Sequence, residues 1–395
     1  MTILVLTPYV PYPPSFGGSV RIYHLMRQLS RQHRLILLSY RESESGLGDT
    51  SGLDDICDDV RCIDRDVGGG KRMLQLKSLV SPHSFQYHVH HGAAMQQALD
   101  DVIRERDVDL ILVEFSQMAC FSFPADIPVV IDQHNVEYDL IRRMAARSHW
   151  SLRKVYNTIE AVKYRREEMR ALAAATGVLA TSERDARLMR DSVPSLRPRV
   201  VVNGVDTAFF QNPGRTPRPN TLVFVGATHY FPNEDGIHFY MRDIHPKVQA
   251  AVPDITVTFV GGRPPGAVRD YASEQVVVTG FVDDVRPYMH AASVFIVPLR
   301  MGGGTRFKVV EALAAEVPVV STRLGSEGIP VENGREVMLA DRPDAFADAV
   351  VRILREPELA ASLRTAGREL VRQRFDWQVI GGQLEEELRR IAGCG

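Results

Sequence analysis

The sequence predicts an α/β protein built from two Rossmann-like, doubly wound domains, and three observations carry that expectation. Short apolar runs rich in β-branched residues alternate with longer helical patterns along the whole chain. The same alternation is written twice, with a cluster of turn residues at the seam. A length of 395 residues suits two domains at roughly 100–200 residues each.

The elements follow in order. Ile3–Leu6, Leu35–Leu38, Leu110–Val113 and Val129–Ile131 read as parallel strands, because a strand covered on both faces shows a continuous apolar run. Between them, Val20–Gln32 carries Ile22, Leu25, Met26 and Leu29 at helical spacing, and Ala93–Arg106 is similar. In the second half, Leu222–Val225, Ile255–Val260, Val276–Val278, Val294–Val297 and Pro318–Ser321 are strand-like. The seam falls within Val200–Asn220, where Asn203-Gly204, Asn212-Pro213-Gly214, Pro217 and Pro219 mark turns and a linker.

Composition narrows the function. With 45% hydrophobic and 24% charged residues, a disordered chain, a collagen and a heptad rod are excluded. Forty-seven Lys+Arg against 49 Asp+Glu give a net charge of −2, which argues against nucleic acid held by bulk charge. The 4 cysteines are too scattered for a disulfide framework, so a reducing compartment fits better. Met1–Leu6 carries no targeting signal and no run of about 18 apolar residues occurs, so a cytoplasmic protein is expected.

Three loops at strand ends carry candidate chemistry. The sharpest is Met301-Gly302-Gly303-Gly304-Thr305-Arg306-Phe307-Lys308-Val309-Val310-Glu311, which follows a strand and opens an amphipathic helix. Gly302, Gly303 and Gly304 let the backbone approach a ligand, and amides at a helix start favour an anion. Arg306 and Lys308 add charge where a diphosphate would sit, and Glu311, one turn on, suits a ribose diol. The loop lacks the G-x-G-x-x-G and Walker A spacings, so neither a dinucleotide nor a P-loop reading holds. Gly17-Gly18 follows the first strand, where open α/β sheets bind ligands, although a Pro/Gly loop is as good at making a turn. His134 closes the strand Val129–Ile131 and is a candidate for hydrogen bonding or proton transfer. His83, His88, His90 and His91 lack a metal-binding pattern, and Cys57 and Cys62 lack a partner pair, so no metal is expected.

The stretch Tyr138–Ala175 is helical and basic, with Arg142, Arg143, Arg147, Arg153, Lys154, Lys163, Arg165 and Arg166 around Trp150 and Tyr156. It reads either as a surface facing a membrane or an acceptor, or as a solvated helix paired to Glu160, Glu167 and Glu168. The interspersed acids favour the second.

The Gly17-Gly18 loop, the His134 segment, Val202-Asn203-Gly204-Val205-Asp206, the G-G-G-T-R…K…E-A-L-A run and Pro318–Thr322 with Gly325-Ser326-Glu327-Gly328 resemble the retaining glycosyltransferases of family 4, in the subgroup with a G-G-G-T-R donor loop. The resemblance implies a GT-B fold with two Rossmann-like domains facing a cleft. Residues 1–200 would bind the acceptor, joined by a crossing helix at 375–395, and residues 201–374 would hold a nucleotide-diphosphate sugar. Gly226, Gly302, Gly303, Gly304, Thr305 and Glu311 would contact the donor with Gly17 and Gly18, while His134, Arg306 and Lys308 would act in catalysis.

No cofactor and no metal are expected, because basic residues and helix dipoles neutralise the leaving diphosphate. The implied partners are the nucleotide-sugar donor and a carbohydrate, lipid-linked or small-molecule acceptor, with no nucleic acid. Peripheral contact with the inner membrane face would run through the basic helix near 142–166.

Two departures stand out. Of the two glutamates that many members place with seven residues between them, Glu311 matches the second, but Gly303 stands at the first. The loop from Gly226 to Gly236 lacks the Arg and Lys that many members use on the diphosphate, a charge that Arg306 and Lys308 would supply. The expected reaction is hexose transfer with retention. A nucleotide-sugar 2-epimerase and a catalytically silent sugar-nucleotide binder are the alternatives.

Overall fold

The computed structural model describes residues 1–41, 49–65, 70–139, 141–142, 152–301 and 306–393. The described chain divides into two compact units, Met1–Val202 with Ile380–Gly395, and Asn203–Val379.

The first unit is built on a seven-stranded parallel sheet: β1 Thr2–Thr7, β2 Arg34–Arg41, β3 Asp59–Asp64, β4 Leu110–Glu114, β5 Val129–Gln133, β6 Gly177–Ala180 and β7 Arg199–Val200, in the order β3-β2-β1-β4-β5-β6-β7. Ile3, Leu4, Val5 and Leu6 have no exposed surface, as expected of a central strand with helices on both faces. The first helix, Gly17–Leu29, buries Ile22, Leu25, Met26 and Leu29, the stripe read from the sequence. That stripe also includes Arg21, a fully buried cation that the apolar spacing does not anticipate.

The second unit repeats the design with β8 Thr221–Val225, β9 Thr256–Val260, β10 Val276–Gly280, β11 Val294–Val297, β12 Val319–Ser321 and β13 Met338–Leu339, ordered β10-β9-β8-β11-β12-β13 and all parallel. In each sheet the strand order reverses between two neighbours, β1 and β4 in the first and β8 and β11 in the second. Loops beyond the carboxyl ends of such a pair diverge and leave room for a ligand.

The last helix, Trp377–Ile391, begins in the second unit and ends in the first. Its start is pinned by Val205, whose amide donates to the Phe375 carbonyl at 2.7 Å. Gly204 has no side chain because a Cβ there would lie 2.7 Å from the Trp377 indole. Further along, Gly381 packs on Gln28, and Ile391 fills the space over Gly177. No helix among the described residues is long and apolar enough to cross a membrane.

Candidate functional site

In the first unit, the ends of β1, β4 and β5 bring together a buried charged network. Arg21 donates through Nε and Nη2 to the two oxygens of Asp132, at 2.8 and 2.9 Å, and through Nη1 to the Val202 carbonyl at 3.1 Å. His134 Nε2 lies 2.7 Å from Glu114 Oε2 and 3.8 Å from Asp132 Oδ2. Burial first, and then the neighbouring Asp132, push the Glu114 carboxyl above the ordinary carboxylate range, against the pull of His134 and Arg21. Glu114, Asp132 and His134 place three ligand-type atoms within 4.8 Å of one another. Arg21 already provides a cation to both Asp132 oxygens, so the group fits an ion-pair network better than a metal cage.

Around His134 the backbone is held tightly. Phe115, just after β4, adopts φ 69°, a left-handed conformation that costs a non-glycine residue about 1–3 kcal/mol, and its ring sits 3.9 Å from the imidazole. The loop after β5 is fixed from the helix Leu152–Ala174. Glu168 accepts from Gln133 Nε2 at 2.7 Å and from the amides of Glu137 and Tyr138 at 3.0 and 3.1 Å. Burial pushes Glu168 up to about 8 although these donors favour its charged form. Gly17 is exposed at the first turn of its helix. Gly18 has a local reason to be glycine: a Cβ would lie 2.1 Å from the Tyr9 hydroxyl, a buried group with no hydrogen-bond partner among the described residues.

In the second unit, the candidate site forms at the ends of β8 and β11, the pair across which the strand order reverses. The helix Phe307–Ala314 follows β11 and carries Lys308 and Glu311 one turn apart. Lys308 Nζ donates to Asn233 Oδ1 at 2.7 Å and lies 4.2 Å above the Phe224 ring. Asn233 in turn donates to the Ala227 carbonyl at 2.9 Å, so one side chain ties Lys308 to the loop after β8.

Gly226 begins that loop. A Cβ there would lie 2.7 Å from Lys308 Nζ, and one at Gly261 would lie 1.9 Å from the Gly226 carbonyl, so the two loops touch through glycine. Lys308 is lowered to about 7, by burial first and then by Arg306, against Glu311. Glu311 is pushed up to about 7 by burial, against Lys308. Each residue keeps some accessible surface, but desolvation of the charged ends dominates.

The two cations expected on the diphosphate part company. Lys308 reaches the loop after β8, whereas buried Arg306 donates through Nε to the Leu324 carbonyl at 3.2 Å and lies 3.8 Å from Glu327. Gly302, Gly303, Gly304 and Thr305 lie outside the described residues, as do Arg143, Arg147 and Trp150 of the basic segment. The histidine cluster forms a stack of rings: His83 lies on Tyr87 at 3.9 Å, and Tyr87 on His91 at 4.7 Å. Beside it, beneath the helix Leu152–Ala174, is a cavity of about 290 Å³ walled by Tyr87, Ser116, Tyr164 and Glu167. Arg21, Glu114 and Glu168 were missed by motif reading. The available signal was a charge inside an apolar helical stripe and an acid ending an apolar strand.

The fold is that of the GT-B glycosyltransferases. Sucrose-phosphate synthase from Thermosynechococcus elongatus superposes with a TM-score of 0.72 over 100% of both chains, at 17% identity. Anabaena HepE in complex with UDP gives 0.67 over 99% of this chain and 100% of that one, also at 17% identity. Residues 17–209 match the family model described as Glycosyltransferase Family 4, and residues 219–356 match that described as Glycosyl transferases group 1. A phosphatidyl-myo-inositol mannosyltransferase of Mycobacterium leprae is 30% identical over 182 residues, 44% of this chain and 48% of that protein. The chain spans less than half the length of the curated relatives it matches, from 36% to 48%.

Proposed function

We propose that this chain is a retaining glycosyltransferase of family 4 that moves a hexose from a nucleotide-diphosphate sugar to a hydroxyl acceptor without a metal ion. The observation that carries the reading is the meeting of Lys308, Asn233 and Gly226 at the strand-order reversal, with Glu311 one turn behind. A desolvated ammonium held close against the backbone of a strand-end loop suits a diphosphate oxygen. Glu311 would accept from the ribose hydroxyls. His134 would orient the hexose or support its developing positive charge through its Glu114 partner. Arg306 would act through the turn Leu324–Ser326 that it holds.

In the step itself the acceptor oxygen bonds to the anomeric carbon from the face the phosphate leaves. The bond from that carbon to the phosphate oxygen breaks, and the acceptor proton passes to the leaving oxygen. Hexose transfer in glycan, polysaccharide or glycoconjugate synthesis is supported by the mannosyltransferase relative, and a nucleotide-sugar donor by the UDP bound to HepE.

A panel of UDP- and GDP-sugars screened by thermal shift should give one family of donors that raises the melting temperature. With that donor and a range of acceptors, NMR of the product should show the donor's anomeric configuration. An inverted anomer overturns retention, and tight donor binding with no turnover favours the silent binder.

Donor affinity should also peak near neutral pH. An anionic diphosphate stabilises charged Lys308, so affinity is full below its free value of about 7 and falls as the pH rises past it. Ribose hydroxyls stabilise ionised Glu311, so affinity falls as the pH drops below about 7. Calorimetry with the intact sugar nucleotide should show slopes approaching about tenfold per pH unit on each side. Lys308→Met should flatten the alkaline limb and Glu311→Gln the acid one, whereas a level wild-type profile would contradict both assignments.

A further inference from the structure

In the first unit the end of the helix Gly70–Val80 meets the helix Leu152–Ala174. Ser78 Oγ and the Tyr156 hydroxyl are 3.0 Å apart, and the Lys163 ammonium donates to the Ser81 carbonyl at 2.7 Å and to that of Ser78. The shorter helix buries Leu74 and Ser78 and exposes Arg72, Met73, Leu76, Lys77, Leu79 and Val80. Met73, Leu76 and Val80, at i, i+3 and i+7, are 56%, 61% and 89% exposed. On the longer helix Val155, Ile159 and Val162, at i, i+4 and i+7, are 40%, 40% and 68% exposed. Of the 13 large apolar side chains exposed among the described residues, 7 belong to this helix pair, so the apolar surface is concentrated and not scattered.

The charge on the same face is of one sign. The helix Gly70–Val80 has no acid, and its exposed Arg72 and Lys77 flank the apolar stripe. On the longer helix exposed Arg166 continues the line from Val162 at i+4. The interspersed acids, which on sequence argued for a solvated, self-paired helix, all turn the other way. Glu160 accepts from the Phe85 amide at 2.6 Å, Glu167 from the Ser84 amide at 2.9 Å, and Glu168 from the loop that carries His134. Capping those inner loops takes the negative charge off the outer face and leaves it apolar and basic.

We infer that this paired helix face docks on an anionic lipid bilayer, with the apolar stripe entering the boundary between headgroups and acyl chains and Arg72, Lys77 and Arg166 meeting lipid phosphates. An apolar stripe framed by Arg and Lys, with acids withdrawn, is the pattern of an interfacial helix. The inference moves the membrane contact from the segment near 142–166 to a surface that includes Gly70–Val80. It does not depend on the sugar-transfer reading.

The test is sedimentation of the full chain with phosphatidylcholine vesicles, with and without about a third of phosphatidylglycerol, at low salt. The chain should bind the anionic vesicles at least about tenfold more tightly than the neutral ones. Leu76→Ser with Ile159→Ser and Val162→Ser should weaken that binding by about tenfold or more. Arg72→Gln with Lys77→Gln and Arg166→Gln should cost about fivefold per charge. All these side chains are exposed, so each variant should keep the wild-type melting temperature. Equal binding to both vesicles, or an apolar variant that binds as the wild type does, overturns the inference. So does a concentration-dependent dimer that the apolar variant breaks while no vesicle binding is seen, which would assign the face to a second copy of the chain.

Discussion

Lys308→Met should lower kcat/KM for the donor by about 10²–10³, the usual loss when a preorganised charge on a developing anion is removed. Lys308 is bonded to Asn233 and abuts Gly226, so it is the described cation that reaches the loop after β8. The same substitution should leave the fold intact and raise its stability. A lysine whose value falls from 10.5 to about 7 on folding is a native-state cost, because folding disfavours the charged form that the unfolded chain keeps. That cost is full below about pH 7 and fades as the pH rises towards 10.5, so the gain in melting temperature should be larger at pH 6 than at pH 9. Lost turnover together with a higher melting temperature would mark a residue kept for chemistry at the expense of stability. Unchanged kcat/KM would remove Lys308 from the diphosphate site.

Asp132→Ala should destabilise the first unit by about 3–5 kcal/mol, because it leaves the Arg21 guanidinium buried without its carboxylate. Both side chains are essentially inaccessible, so water cannot replace the lost partner. Denaturant unfolding followed by fluorescence measures the change, and a loss under about 1 kcal/mol would mean the pair is not structurally important. Arg21→Met combined with Asp132→Leu should recover much of the loss, since a buried pair replaced by apolar groups is often near neutral. Activity should not recover with it, because His134 shares this network through Glu114.

The strands were legible because parallel sheets covered on both faces use continuous apolar runs: Ile3–Leu6, Val129–Ile131 and Val294–Val297 all lie in strands. Helix faces were legible for the same reason, as Ile22, Leu25 and Leu29 demonstrate. Charged residues were harder. Arg21 lies in an apolar stripe and looks like a flaw until Asp132, 111 residues away, is placed against it. Arg306 and Lys308, two residues apart, form one cluster in the sequence, yet they go to loops after different strands. Positions 306 and 308 differ by about 200° around a helix, so adjacency in sequence is divergence in space. The acids of Leu152–Ala174 mislead in the same way, since composition counts them but cannot say which way they face.

By itself the sequence determined the two Rossmann-like halves, the loops at their strand ends and the GT-B resemblance. All of these are written in local periodicity and short motifs, which depend on neighbouring residues alone. Only the tertiary structure decided that Glu114 holds His134, that Lys308 and Arg306 serve different loops, and that Glu160, Glu167 and Glu168 turn inward and leave a basic, apolar face outside. The physical reason is that a charge acts over a few ångströms through whatever the fold brings near it, and burial sets its strength. Periodicity fixes where a side chain sits on its own element, but its partner is chosen by how the elements pack.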